Sequence, residues 1–250
     1  MEKDMIWIVG FGPGDRRHMT IEAQEAIESA DVIVGYSGYN ALMKPLFPDK
    51  EYVETGMRGE VKRCEEAVSL AENGKNVALI CSGDAGVYGM AGLLLEILER
   101  RGKIDEINVE VVAGVTAALA GAALLGAPLG HDLAFISLSD LLTPWELIEK
   151  RLLAAGEADF CIALYNPSSR GRKDHLRRAA NLLLQVRGGD TPCGIADRIG
   201  REGESTRILT LRELPDAETD MQSVVLIGNS GTRRIGNYLV TERGYLKKYG

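Results

Sequence analysis

The 250 residues carry 29 lysines and arginines against 36 aspartates and glutamates, a net charge of −7, with 45% hydrophobic and 26% charged residues. That balance allows one large domain or two small ones with an ample core, and it excludes a nucleic-acid binder built on bulk positive charge. No apolar run reaches the roughly 20 residues that span a bilayer, so no membrane segment is expected.

The opening MEKDMIWIVG is acidic and enters a strand at once, so it does not read as a signal peptide. Residues 5–9, MIWIV, form the first expected strand, followed by the loop GFGPG at 10–14. Thr20 then caps a helix, TIEAQEAIESA, with acids in its first turn. DVIV is the second strand and YVE a candidate third. Residues 60–72 alternate as an amphipathic helix that stops at NGK. NVALIC is the next strand. The glycine-rich SGDAGVYGMAG follows at 82–92, with a helix expected from Val87 to Arg101. VEVVAG leads into the small-residue helix TAALAGAALLG, which Pro128 and Gly130 end. These strands are apolar without strict alternation, as in a parallel sheet covered on both faces.

The pattern then changes. DLAFISLSD reads as a strand. TPWELIEKRLLAAG reads as a helix with Thr143 as N-cap and Pro144 first. DFCIALYNP is a strand and RKDHLRRAANLLLQVR a long helix. TPCGIADRIG, STRILTLREL and SVVLIGNS are three further strands with little helix between them, which predicts a mixed sheet. The fold class is therefore α/β in two domains, residues 1–129 and 130–250.

Cys64, Cys81, Cys161 and Cys193 show no CxxC spacing, so buried free thiols are expected and no metal site. The histidines, His18, His131 and His175, are far apart in sequence. GFGPG is not a dinucleotide fingerprint, because Pro13 stands where the helix should begin and no acid follows the second strand. There is no Walker lysine and no nucleophile elbow. Glycine or small-residue loops nevertheless follow several strands: GFGPG, GYSGY, SGDAGVYG and AGVTA. Glycines beyond strand ends let the backbone touch a ligand, and together these loops predict a backbone-lined pocket.

IVGFGPGD, SGDAGVYGMAG, VVAGVTAALAGAALLGAPLGHD and ISLSDLLTPWE resemble the tetrapyrrole (corrin/porphyrin) methyltransferases. The likeness covers nearly the whole chain. GDAGVYGMAG and SLSDLLTPWE resemble most nearly the branch that methylates C17 of precorrin-3B or cobalt-factor III in cobalamin biosynthesis, with ring contraction. The alternatives are another tetrapyrrole position or a diphthamide-type protein methyltransferase.

The resemblance implies S-adenosylmethionine (SAM) as cofactor, held in a cleft between two α/β domains of a cytoplasmic homodimer. It implies cofactor contacts at Gly83, Asp84 and Val87, largely through backbone, and at Thr116, Ala117, Leu164 or Tyr165, and Ala196. Gly12 and Pro13 are expected near the cleft mouth. Methyl transfer to an electron-rich ring carbon needs no protein nucleophile and gains most from positioning. A proton donor or acceptor for ring contraction would come from His131, Asp84, Tyr88 or Tyr36. The polycarboxylate substrate needs local cations. Arg170 and Arg172 in SSRGRKDHLRR, a run that also carries Lys173, Arg177 and Arg178, are the first candidates. Arg58 with Lys62 and Arg63, and Arg198 with Arg201 and Arg207, come next. The partners expected are the tetrapyrrole and a second copy of the chain, with no nucleic acid.

Overall fold

The computed structural model describes residues 5–169 and 171–250. They form two compact units, the first ending at Ala117 and the second starting at Ala118.

In chain order the first unit has β1 (Met5–Gly10), α1 (Ile21–Ser29), β2 (Val32–Tyr36), α2 (Ser37–Met43), β3 (Glu51–Thr55), α3 (Glu60–Glu72), β4 (Val77–Cys81), α4 (Ala91–Arg101) and β5 (Asn108–Val112). Its five strands are all parallel, in the order β3-β2-β4-β1-β5. Helices cover both faces, which is why the inner strands read as unbroken apolar runs. All five residues of β4 are buried. Val77, Leu79 and Cys81 pack with Ala67 of α3 and Leu94 of α4. Ala78 and Ile80 pack on the other face with Ala23 and Ile27 of α1. Thr20 caps α1 as expected, its Oγ1 accepting from the Ala23 N–H at 3.0 Å.

Strands β1 and β4 are neighbours, yet the helix after β1 lies on one face and the helix after β4 on the other. Connections from two adjacent strands thus part in opposite directions. Open α/β sheets bind ligands beyond the carboxyl ends of strands at such a switch point.

The second unit takes over one residue into α5 (Ala117–Leu125). It continues with β6 (Gly126–Ala127), β7 (Leu133–Ser137), α6 (Trp145–Glu157), β8 (Cys161–Tyr165), α7 (His175–Leu183), β9 (Pro192–Asp197), β10 (Ser205–Thr210), β11 (Ser223–Ile227), β12 (Thr232–Ile235), β13 (Tyr238–Thr241) and α8 (Tyr245–Tyr249). Its main sheet runs β10-β9-β11-β8-β7, with only β7 and β8 parallel, so it is mixed as expected. Ile148 and Leu152 of α6 and Leu176 and Leu183 of α7 pack on one face, against Ile162, Leu164, Ile195 and Val225. Helix α5 covers the other face at close range. A Cβ on Gly121 would lie 2.9 Å from Val224 and 3.1 Å from Ala196. This packing joins α5 to the second unit, whereas the sequence reading divides the chain at 129/130.

Several local expectations shift. The helix expected from Val87 starts at Ala91, that expected at Pro144 starts at Trp145, and the long basic helix spans only His175–Leu183. Helices α2 and α8 and the hairpin β12–β13 have no counterpart in the sequence reading. The hairpin had a signal, Gly236-Asn237 between β-like runs, with Gly236 at φ 60°. Among the described residues no helix is long and apolar enough to cross a membrane, and no cluster of three or more His, Cys, Asp or Glu is placed to hold a metal.

All four cysteines are free and buried. Burial pushes the thiols of Cys64 and Cys193 up to about 12 and that of Cys81 up to about 11. The thiolate is the reactive form, so iodoacetamide at about pH 8 is expected to leave the native chain unlabelled. In denaturant the same reagent should mark all four cysteines by mass. A native chain labelled at Cys81 would show that the segment after β4 opens freely.

Candidate functional site

Four glycines meet at the carboxyl ends of β1, β4 and β5. The Gly12 N–H donates to the Gly83 carbonyl at 3.0 Å, and the Gly83 N–H returns a bond to the Gly12 carbonyl at 2.8 Å. Both sit at positive φ, 79° and 72°. A Cβ on Gly10 would lie 2.8 Å from the Gly83 oxygen. One on Gly114 would lie 2.1 Å from the same oxygen and 2.3 Å from the Gly10 oxygen. The glycines therefore let three loops cross backbone to backbone.

Asp84 fastens this crossing. Its Oδ1 accepts from the N–H groups of Gly86 at 2.8 Å and Val87 at 3.0 Å, and its Oδ2 from the Gly114 N–H at 3.0 Å. One carboxylate thus holds its own loop and the loop after β5. Tyr88 follows at φ 55°, and a Cβ on Gly89 would strike the Ala85 carbonyl at 2.3 Å. Residues 82–90 are wound too tightly for α4 to begin before Ala91.

This winding sets where the expected cofactor contacts lie. The N–H groups of Gly83 and Val87 both donate inside the protein. Bare backbone faces outward at Gly86 in the loop and at Gly92 in the first turn of α4. At Gly86 a Cβ would meet only Asp84 Oδ1, at 3.3 Å, and at Gly92 nothing lies within 4 Å. Thr116 and Ala117 border the loop across from Gly83, whose Cβ direction is open to 3.7 Å. Gly12 and Pro13 are buried, and Tyr88 is exposed. Tyr36 ends β2 and meets Tyr39 edge-on at 5.2 Å, and Tyr39 meets Phe11 at 5.6 Å, an aromatic chain of packing contacts. Arg58, at φ 61°, and Lys62 are exposed beyond the end of β3.

In the second unit Leu164 is buried in the core, and Tyr165 ends β8 with its Oη accepting from the Ala118 N–H at 3.0 Å. Ala196 is buried mid-sheet, paired with Thr206 and Val224. His131 lies before β7, at the opposite end of the sheet from Tyr165. A five-residue strand at about 3.3 Å per residue separates those ends by roughly 13 Å. There His131 lines a concavity of about 420 Å³ with Asp132, Asp159, Ser230 and Lys247. The structure therefore does not bring His131 together with Tyr165.

Among the described residues of the basic run, three arginines face carboxylates. Arg170 lies outside the described residues. Arg172 donates to the hydroxyls of Ser169 and Ser139 and lies 3.8 Å from Asp140. Arg177 pairs with Asp216 at 3.1 Å. Arg178 lies 3.6 Å from Glu149 and sits over the Trp145 ring at 4.0 Å. His175 Nε2 lies 3.1 Å from Asp140, and this contact, with Arg172 beside it, holds the Asp140 carboxyl below the usual carboxylate range. Together these groups fasten the segment 138–145 to the start of α7. Arg198, at φ 50°, pairs with Asp220 at 3.0 Å. The counter-charges come from distant parts of the chain, which is why the sequence showed the cations and not their partners.

The family model of the tetrapyrrole (corrin/porphyrin) methylases matches residues 5–215. The chain is 49% identical over 241 residues to a protein of Salmonella typhimurium named probable cobalt-factor III C(17)-methyltransferase, covering 96% of this chain and 99% of that one. It is 45% identical over 249 residues to the cobalt-factor III methyltransferase of Priestia megaterium, covering 99% of this chain but 46% of that longer protein. The crystal structure of the methyltransferase CobJ superposes with a TM-score of 0.89 at 36% identity, covering 96% of this chain and 100% of that one.

Proposed function

The chain belongs to the tetrapyrrole (corrin/porphyrin) methylase family, and on that premise we propose that it transfers a methyl group from SAM to C17 of cobalt-factor III or precorrin-3B in cobalamin biosynthesis. The observation that carries this reading is the 49% identity, over nearly the full length of both chains, to a relative with that name. Both relatives described above are named for the cobalt-bearing substrate, which favours it over precorrin-3B. We propose with it a cytoplasmic homodimer and coupling of methylation to ring contraction, as the family resemblance implies.

The residues at the carboxyl edge of the first sheet fit such a cofactor. The loop at 82–90 presents bare backbone at Gly86, where a Cβ would meet only Asp84 Oδ1, so its main chain is open to a ligand. When bound, SAM supplies an electrophilic methyl group on a sulfonium. The nearby Cys81 is kept a neutral thiol by burial and so does not compete for that methyl. Asp84 fixes the loop geometry, and fixed geometry is the main help that methyl transfer to carbon requires.

The test is incubation of the chain with SAM and cobalt-factor III, in parallel with precorrin-3B, followed by mass and NMR analysis. One added methyl at C17 is expected. Absence of turnover on both substrates, or a methyl at another ring carbon, would overturn the reading.

A further inference from the structure

Arg63 lies in the first turn of α3, where a cation opposes the helix dipole, and its relative exposure is only 4%. Its guanidinium donates to Thr55 Oγ1 at 2.8 Å, to the Gly56 carbonyl at 3.3 Å and to Met90 Sδ at 3.7 Å. All three acceptors are neutral and the thioether is a weak one. Among the described residues no carboxylate lies within ion-pair distance, and three bonds leave two of the five N–H donors uncommitted. The other inward-turned arginines are answered. Arg187 donates to four main-chain carbonyls, those of Gly156, Gly228, Ala155 and Phe160, and Arg172 has Asp140. A buried cation without an anion is costly, so its retention calls for a partner from outside the chain.

The neighbourhood says which kind. Arg63 stands at the carboxyl edge of the parallel sheet and touches Met90, the last residue before α4. The thiols beside it, Cys64 and Cys81, are neutral and supply no counter-charge. Arg58 and Lys62 are exposed on the same short stretch, GMRGEVKR, where Glu60 is the one acid. In a chain of net charge −7 this is a local excess of cations just beyond the end of β3.

We propose that Arg63 binds a carboxylate of the tetrapyrrole substrate, with Arg58 and Lys62 guiding the polyanion toward it. The assignment rests on the C17-methyltransferase reading and adds to it the group that anchors the substrate. The planar guanidinium offers a carboxylate the paired N–H geometry that lysine lacks.

The experiment compares wild type with Arg63→Met, which keeps volume and removes the cation. Wild-type turnover of cobalt-factor III and precorrin-3B is measured first, and no turnover on either overturns the parent reading and this one with it. Given wild-type turnover, Arg63→Met should raise the tetrapyrrole KM by about tenfold or more and flatten its rise with ionic strength, while the SAM Kd stays within about twofold. A KM within about twofold of wild type would overturn the assignment alone. So would a parallel loss of SAM affinity, which would make Arg63 only a brace for the 82–90 loop. Should Arg63→Met fail to fold, Arg63→Lys carries the test. It keeps the charge and loses the fork, and should raise KM about threefold with its salt dependence intact, an unchanged KM again overturning the proposal.

Discussion

Gly114→Ala is expected to lower the midpoint of thermal unfolding by roughly 6–12 °C and to abolish SAM binding in the folded fraction. The methyl group would sit 2.1 Å from the Gly83 carbonyl oxygen and 2.3 Å from the Gly10 carbonyl oxygen. Both are backbone atoms at the ends of central strands, so no side chain can swing aside. Relief requires the loops after β1, β4 and β5 to part, which would strain the Gly12–Gly83 bridge and the bond from the Gly114 N–H to Asp84. Overpacking of this kind costs about 3 kcal/mol or more, and in a chain of this size each kcal/mol moves the midpoint by about 2–4 °C. Gly92→Ala is the matched control. It has no atom within 4 Å and lies in α4, so the same methyl should leave the midpoint unchanged or raise it slightly. Calorimetric scans of the two variants decide the matter. A Gly114→Ala midpoint within about 2 °C of wild type would show that the crossing yields and that the glycines answer to something other than backbone approach.

The contrast between those glycines marks how far the sequence could be read. The strands were legible because burial on both faces leaves an unbroken apolar run, as in β4. The clustering of glycines at strand ends was legible too. Which glycine faces a ligand and which faces another backbone was not, because Gly10, Gly83 and Gly114 are 30 or more residues apart in sequence and meet only in the folded sheet. The segment from Val87 has helical composition, yet Asp84 captures the N–H groups of Gly86 and Val87, and Tyr88 turns to φ 55°. A side chain competing for backbone donors in this way overrides propensity. The partners of the basic run were illegible for a related reason. Asp140, Glu149 and Asp216, which neutralise Arg172, Arg178 and Arg177, approach from other elements. Arg63 stood out in the sequence only as one of three cations with Arg58 and Lys62, since a basic residue on an amphipathic helix is ordinary until its burial is known.

Asp84→Ala is expected to raise the SAM Kd about 100-fold while leaving kcat at saturating SAM within about threefold of wild type. The carboxylate accepts three backbone N–H groups, and bonds to a charged acceptor contribute about 1.5–3 kcal/mol each. Gly86 is exposed, and Val87 and Gly114 are half-buried, so water recovers part of that loss in the variant. About 2.7 kcal/mol of lost loop order remains to be made good on binding, at about 1.4 kcal/mol for each tenfold in affinity. The effect on global stability should be smaller, because a loop can open without the sheet. Asp84→Asn sharpens the reading. It keeps one oxygen for Gly86 and Val87 but turns an amide N–H₂ toward the Gly114 N–H, two donors face to face, so it should weaken SAM binding by about tenfold. A group that moves a proton in ring contraction would behave otherwise. Both variants would then lose about 100-fold or more in kcat with SAM affinity unmoved. Titration calorimetry for SAM beside single-turnover kinetics for the tetrapyrrole separates the two. The bonds to Gly86, Val87 and Gly114 leave Asp84 committed as a brace, so the loss should fall on cofactor affinity.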